Sequence, residues 1–100
     1  MFEERVQFPP GFVDSFCKRN RIRKLSFFGS VLRNDFRADS DVDILVEFEP
    51  GNVPGYFKLF GMQDELSKVL GRTVDLRTAG EISVHSLPRV QGESRLAYPH

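Results

Sequence analysis

The sequence predicts a small α+β (α/β) domain: a mixed β-sheet covered by helices on one face. Three observations carry this expectation. Short apolar runs with two-residue alternation fall at residues 25–28, 41–49 and 73–77. Helical spacings and connections long enough for crossovers separate them. A chain of 100 residues with 40% hydrophobic side chains sustains one packed core but not a second domain with its own substrate site. Residues 1–100 are therefore expected to form one domain.

Pro9-Pro10-Gly11 punctuates the start, and Phe12, Val13, Phe16 and Cys17 then recur at helical spacing, predicting a helix over residues 10–20. Leu25-Ser26-Phe27-Phe28 reads as a buried strand that ends at Gly29, where the backbone can turn sharply. Residues 30–33 suggest one helical turn, closed by Asn34. The strand over residues 41–49 has the cleanest alternation in the chain, and residues 50–55, rich in Pro and Gly, form a loop. From 56 to 70, Leu59, Met62, Leu66, Val69 and Leu70 mark an amphipathic helix with Gly71 as its stop. A third strand follows at 73–77, then a short helix at 83–90 and a small edge strand at 95–98. Tyr56, Phe57 and Phe60 sit where a partner protein can dock, although at least two of them are expected in the core.

Composition narrows the function. Net charge is zero, which argues against a nucleic-acid binder. Lys18, Arg19, Arg21, Arg23 and Lys24 form a basic cluster, read first as a solvated helix end and second as a polyphosphate contact. Cys17 is the lone cysteine, so it is assigned to the core; neither a disulfide framework nor a thiolate metal site is available. His85 and His100 stand outside any ligand spacing. The N-terminus lacks a signal-peptide layout, and no apolar run approaches the roughly 20 residues that cross a bilayer. A cytoplasmic protein with no membrane partner is expected.

The chemistry concentrates in Gly29-Ser30 and, after ten intervening residues, Asp41-Val42-Asp43 at the head of Ile44-Leu45-Val46. Strand alternation sends Asp41 and Asp43 to one face and Val42, Ile44, Val46 and Phe48 to the other. Asp75, between Val74 and Leu76, obeys the same parity, so all three aspartates should share the face that the helices leave open. Two carboxylates about 4 Å apart repel by roughly 4 kcal/mol at an effective dielectric near 20, which a divalent cation relieves. Magnesium suits such a site, because one or two carboxylates hold it while substrate phosphates and water complete its shell. Gly29 and Ser30 lie at a strand-to-helix turn that favours an anion, and Arg33 stands one turn beyond.

At Gly29-Ser30, Arg33, the run from Asp39 to Val46, and Thr73-Val74-Asp75-Leu76, the chain resembles the nucleotidyltransferase superfamily typified by DNA polymerase beta, and within it the minimal nucleotidyltransferases. The resemblance implies that fold for residues 10–77, two magnesium ions at Asp41, Asp43 and Asp75, and a triphosphate held near Gly29, Ser30 and Arg33. It also implies ATP as substrate and, as partner, a HEPN-domain toxin that the antitoxin neutralises by moving AMP onto a tyrosine, in a homo- or hetero-oligomer. A short chain without a separate acceptor domain fits that role. Two alternatives accompany it. One is a non-catalytic module that masks its partner, suggested by Val31 where the family commonly has a polar residue; the other is a transferase for small molecules of the aminoglycoside type.

Overall fold

The computed structural model describes residues 7–29, 41–78 and 94–99. Ser30, Val31, Arg33, Asn34, Asp39, Ser40, His85 and His100 lie outside the described residues, as do the expected helical turn at 30–33 and helix at 83–90. The elements are α1 (Phe12–Arg19), β1 (Ile22–Phe28), β2 (Val42–Phe48), α2 (Tyr56–Leu70), β3 (Val74–Thr78) and β4 (Arg95–Tyr98).

The four strands form one mixed sheet in the order β3-β2-β1-β4. β1 runs antiparallel to both β2 and β4, whereas β2 and β3 are parallel and joined through α2. A parallel neighbour needs a crossover, and the 15 residues of α2 supply it. The terminal strand takes the expected edge position.

One face of the sheet is the core. Leu25 and Phe27 of β1, Val42, Ile44 and Val46 of β2, and Val74 and Leu76 of β3 are all buried against Phe16 and Cys17 of α1 and Leu59, Met62 and Leu66 of α2. Helix α1 carries Asp14 in its first turn and Lys18 and Arg19 in its last, charges that complement its dipole, and the Asn20 side chain donates to the Phe16 carbonyl at 2.8 Å. Phe12 stacks on both Phe8 and Phe16 at 5.5 Å between ring centroids, extending the core beyond the sheet. Helix α2 ends at Gly71, whose φ of 67° is left-handed and whose N–H returns to the Ser67 carbonyl at 2.9 Å.

Three features depart from the sequence expectations. Strand β1 begins at Ile22 rather than residue 25, because Ile22 is buried opposite Phe48 while a register shift between Ile22 and Lys24 accommodates the charged residues beside it. The second face of the sheet is closed at its middle, since Ser26 and Leu45, paired across β1 and β2, are each only 2% exposed. Tyr56, Phe57 and Phe60 are all exposed, with Phe57 at 94%. The stripe formed by Leu59, Met62 and Leu66 turns Phe57 and Phe60 away from the sheet, and Tyr56 stacks on Phe60 at 6.2 Å.

Cys17 is fully buried, and burial, with a smaller contribution from Asp14, pushes its thiol up to about 12. It packs as an apolar group and stays protonated. Between pH 9 and 12 the unfolded chain loses this proton and the folded one keeps it, so stability is complete below pH 9 and falls as pH rises. We expect unfolding free energy to drop by about 1 kcal/mol between pH 8 and 10, measured by urea denaturation, and that part of the dependence to vanish in Cys17→Ala. Leu66→Ala, at a fully buried position, should cost about 2–5 kcal/mol in the same assay, whereas Leu96→Ala, at a position 50% exposed, should stay within about 0.5 kcal/mol.

Candidate active site

β2 and β3 pair in the register Val42↔Val74, Asp43↔Asp75 and Ile44↔Leu76. Directly paired residues of parallel strands share a face, so the buried valines below force Asp43 and Asp75 together onto the other side. Their backbones are one strand spacing apart, about 4.8 Å. Both carboxylates are half-buried. Asp41 precedes β2, is exposed, and falls on the same side by alternation. Among the described residues no three acidic, His or Cys side chains are gathered into a metal cage, so the close pair is Asp43 with Asp75.

The Asp75 carboxylate is engaged by Arg77, two residues along the same strand. Arg77 donates Nε–H to both oxygens at 3.3 and 3.2 Å and Nη2–H to Oδ2 at 3.1 Å. With side chains 48% and 36% exposed, this is a solvent-screened pair of the kind worth about 0–1 kcal/mol. A divalent cation at the two carboxylates meets little resistance from it. The donor set consists of hard carboxylate oxygens at an exposed sheet end, which suits magnesium and not a soft thiolate-seeking metal.

Gly29 closes the other side of Asp43. Phe28 pairs with Asp43 across β1 and β2, which brings the following residue against the carboxylate. Gly29 has a φ of 76°, and a Cβ placed on it would overlap Asp43 Oδ2 and lie 3.1 Å from Asp43 Cγ. Only glycine fits, for reasons of both torsion and space. Ser30 and Arg33 continue the chain outside the described residues.

The basic cluster does not reach this site. Arg23 and Lys24 bridge to Glu47 at 3.2 and 4.0 Å, and Arg19 bridges to Glu65 at 2.9 Å. Arg23 lies six residues before Gly29 on one strand, about 20 Å away. Arg19, Arg23 and Lys24 are thus engaged by carboxylates away from the Asp43–Asp75 pair, as at a solvated helix end and strand start. The exposed Tyr56, Phe57 and Phe60 are likewise remote, because α2 begins beyond the C-terminal end of β2 while Asp43 lies near its start. A cleft of about 230 Å³ lined by Val53, Pro54, Gly55, Tyr56, Leu59 and Thr78 sits at that far end.

Sequence reasoning missed three residues around Asp75. Arg77 was detectable, since the parity that placed Asp75 on the open face also places Arg77 there. Gln63 and Ser67 of α2 carried no such signal: Gln63 Oε1 accepts from the Leu76 N–H at 2.8 Å and Ser67 Oγ from the Val74 N–H at 3.0 Å, on the side of β3 away from β2.

Gly29→Ala is expected to destabilise the fold by at least about 1 kcal/mol more than Gly51→Ala, measured by chemical denaturation. Gly51 has a similar φ of 80° but nothing within 4 Å of its would-be Cβ, so it reports the torsional cost alone.

The sequence pattern of the nucleotidyltransferase domain family matches residues 10–98. A candidate protein adenylyltransferase of Methanocaldococcus jannaschii, MJ0128, is 42% identical over 65 residues, which cover 65% of this chain and 64% of that one. The protein adenylyltransferase MntA of Thermococcus cleftensis is 41% identical over 59 residues, covering 59% of this chain and 58% of that one. The matches thus span about three-fifths of these relatives' lengths. A solved structure of a candidate minimal nucleotidyltransferase superposes with a TM-score of 0.69 at 32% identity, covering 82% of each chain. A toxin–antitoxin structure with AMP-PNP superposes with a TM-score of 0.72 over 88% of this chain and 71% of that chain; at 18% identity the likeness is one of fold. The match from the start of α1 to the end of β4, together with the four-stranded mixed sheet, makes this chain a member of the nucleotidyltransferase domain family.

Proposed function

We propose that residues 1–100 form one magnesium-dependent nucleotidyltransferase domain that moves AMP from ATP to a hydroxyl of a partner protein. The partner is a HEPN-domain toxin, its acceptor a tyrosine, and the transfer neutralises it. The observation that carries this reading is the register that sets Asp43 beside Asp75 on one face, with Gly29 closed against Asp43. Relatives named as protein adenylyltransferases support the reaction, and the fold shared with a toxin–antitoxin structure containing AMP-PNP supports the nucleotide and the partner class.

In this reading Asp41, Asp43 and Asp75 hold two magnesium ions, and Gly29, Ser30 and Arg33 hold the triphosphate. Bound there, magnesium neutralises phosphate charge and eases ionisation of the acceptor hydroxyl. Asp75 takes the hydroxyl proton as the oxygen–phosphorus bond to AMP forms and the bond to pyrophosphate breaks. Arg77 releases Asp75 when the carboxylate is needed and keeps it charge-paired otherwise. Catalysis then rests on positioning and charge stabilisation, with no covalent intermediate on the protein.

One observation favours a second reading. The Arg77 fork on Asp75 is what a non-catalytic module would retain, its carboxylate serving only to hold the strand's outer surface. Such a module would mask the partner by contact alone.

Incubation with α-labelled ATP, magnesium and the co-purified partner should label the partner, with a mass increase of one or more nucleotidyl units. Asp43→Asn should lower the labelling rate about 100-fold or more and abolish neutralisation. Full neutralisation by Asp43→Asn without label would establish the masking module instead.

A further inference from the structure

Among the described residues β3 is the outer strand of the sheet, and the N–H groups of Val74 and Leu76 point away from β2. On an ordinary edge these groups face water or recruit another strand. Here they do neither. Ser67 Oγ accepts from Val74 N–H at 3.0 Å, and Gln63 Oε1 accepts from Leu76 N–H at 2.8 Å. Val74 and Leu76 are the two residues that flank Asp75.

Ser67 gathers the whole approach to this strand. Its hydroxyl also donates to the Gln63 carbonyl at 2.9 Å, and its own carbonyl accepts the Gly71 and Arg72 N–H groups at 2.9 and 3.2 Å. The helix end, the turn and the start of β3 are thereby referred to one side chain. Gln63, one turn earlier, fixes the next outward amide. Together the two side chains do the work of a fifth strand.

The consequence is register. A slip of β3 by one residue would turn Asp75 into the core, and a slip by two would carry it about 7 Å along β2, away from Asp43. The apolar face opposes the first slip because Val74 and Leu76 must stay buried. It opposes the second far less, since two-residue slippage preserves parity. We propose that Gln63 and Ser67 are positioning residues that hold Asp75 level with Asp43 by bonding the two backbone amides on either side of it. This inference rests on the reading of Asp43 and Asp75 as a divalent-cation site.

The test uses the whole chain and Mn2+ alone, with binding followed by the loss of the free-ion paramagnetic resonance signal and amide exchange followed by NMR. Gln63→Met removes the acceptor at similar volume, Ser67→Ala removes the hydroxyl, and Ser67→Thr keeps it. We expect Gln63→Met to speed exchange at Leu76, and Ser67→Ala at Val74, about tenfold or more relative to amides of β1. Each should weaken Mn2+ binding about fivefold, with Ser67→Thr within twofold of the natural chain. Faster exchange with unchanged Mn2+ affinity, while Asp75→Asn does weaken it, would overturn the positioning role alone. Unchanged affinity in Asp75→Asn as well would overturn the cation-site reading and the inference with it. Because Ser67→Ala removes a single oxygen, it keeps the test decisive should Gln63→Met fail to fold.

Discussion

Asp43 and Asp75 sit side by side because the hydrophobic layer beneath them leaves no alternative. Val42, Ile44, Val74 and Leu76 must all face the helices, and parallel in-register pairing of β2 with β3 then places Asp43 against Asp75. Both carboxylates are half-buried, so solvent reaches and screens them. Burial of the four aliphatic side chains, each worth about 1.5–3 kcal/mol, fixes the arrangement. Everything proposed for the site depends on this packing.

The surroundings of the pair divide into a charge partner and parts that preserve the geometry. Arg77 pairs with Asp75 through a partly exposed fork. Gly29 preserves geometry on the side of β1 by allowing the backbone to close on Asp43 without a side chain. Gln63 and Ser67 do so on the side of β3, which has no further strand beside it among the described residues. A site built this way combines a packed floor with a partly exposed charge pair at its surface.

Much of this was legible in the amino-acid order because period-two alternation is strong where one strand face is fully buried. The stretch Val42-Asp43-Ile44 and the stretch Val74-Asp75-Leu76 each announce their parity, and the helix from Tyr56 to Leu70 announces its stripe. Less was legible where charge obscured burial, as at the start of β1, where Arg23 and Lys24 hide the strand character that Ile22 supplies. Leu45 was signalled by the unbroken apolar run Ile44-Leu45-Val46, which marks a strand buried on both faces, whereas nothing local marked Ser26 as buried. Gln63 and Ser67 are ordinary polar positions beside an apolar stripe, and their role emerges only from the position of β3 at the sheet edge.

The most direct examination of the central claim is a crystal structure of the chain with magnesium and a non-hydrolysable ATP analogue. Electron density is expected for a metal between the Asp43 and Asp75 carboxylates, with Arg77 withdrawn from Asp75 and phosphate oxygens against the Gly29 backbone. A nucleotide bound elsewhere, with Asp75 still in the Arg77 fork at saturating magnesium, would contradict that claim.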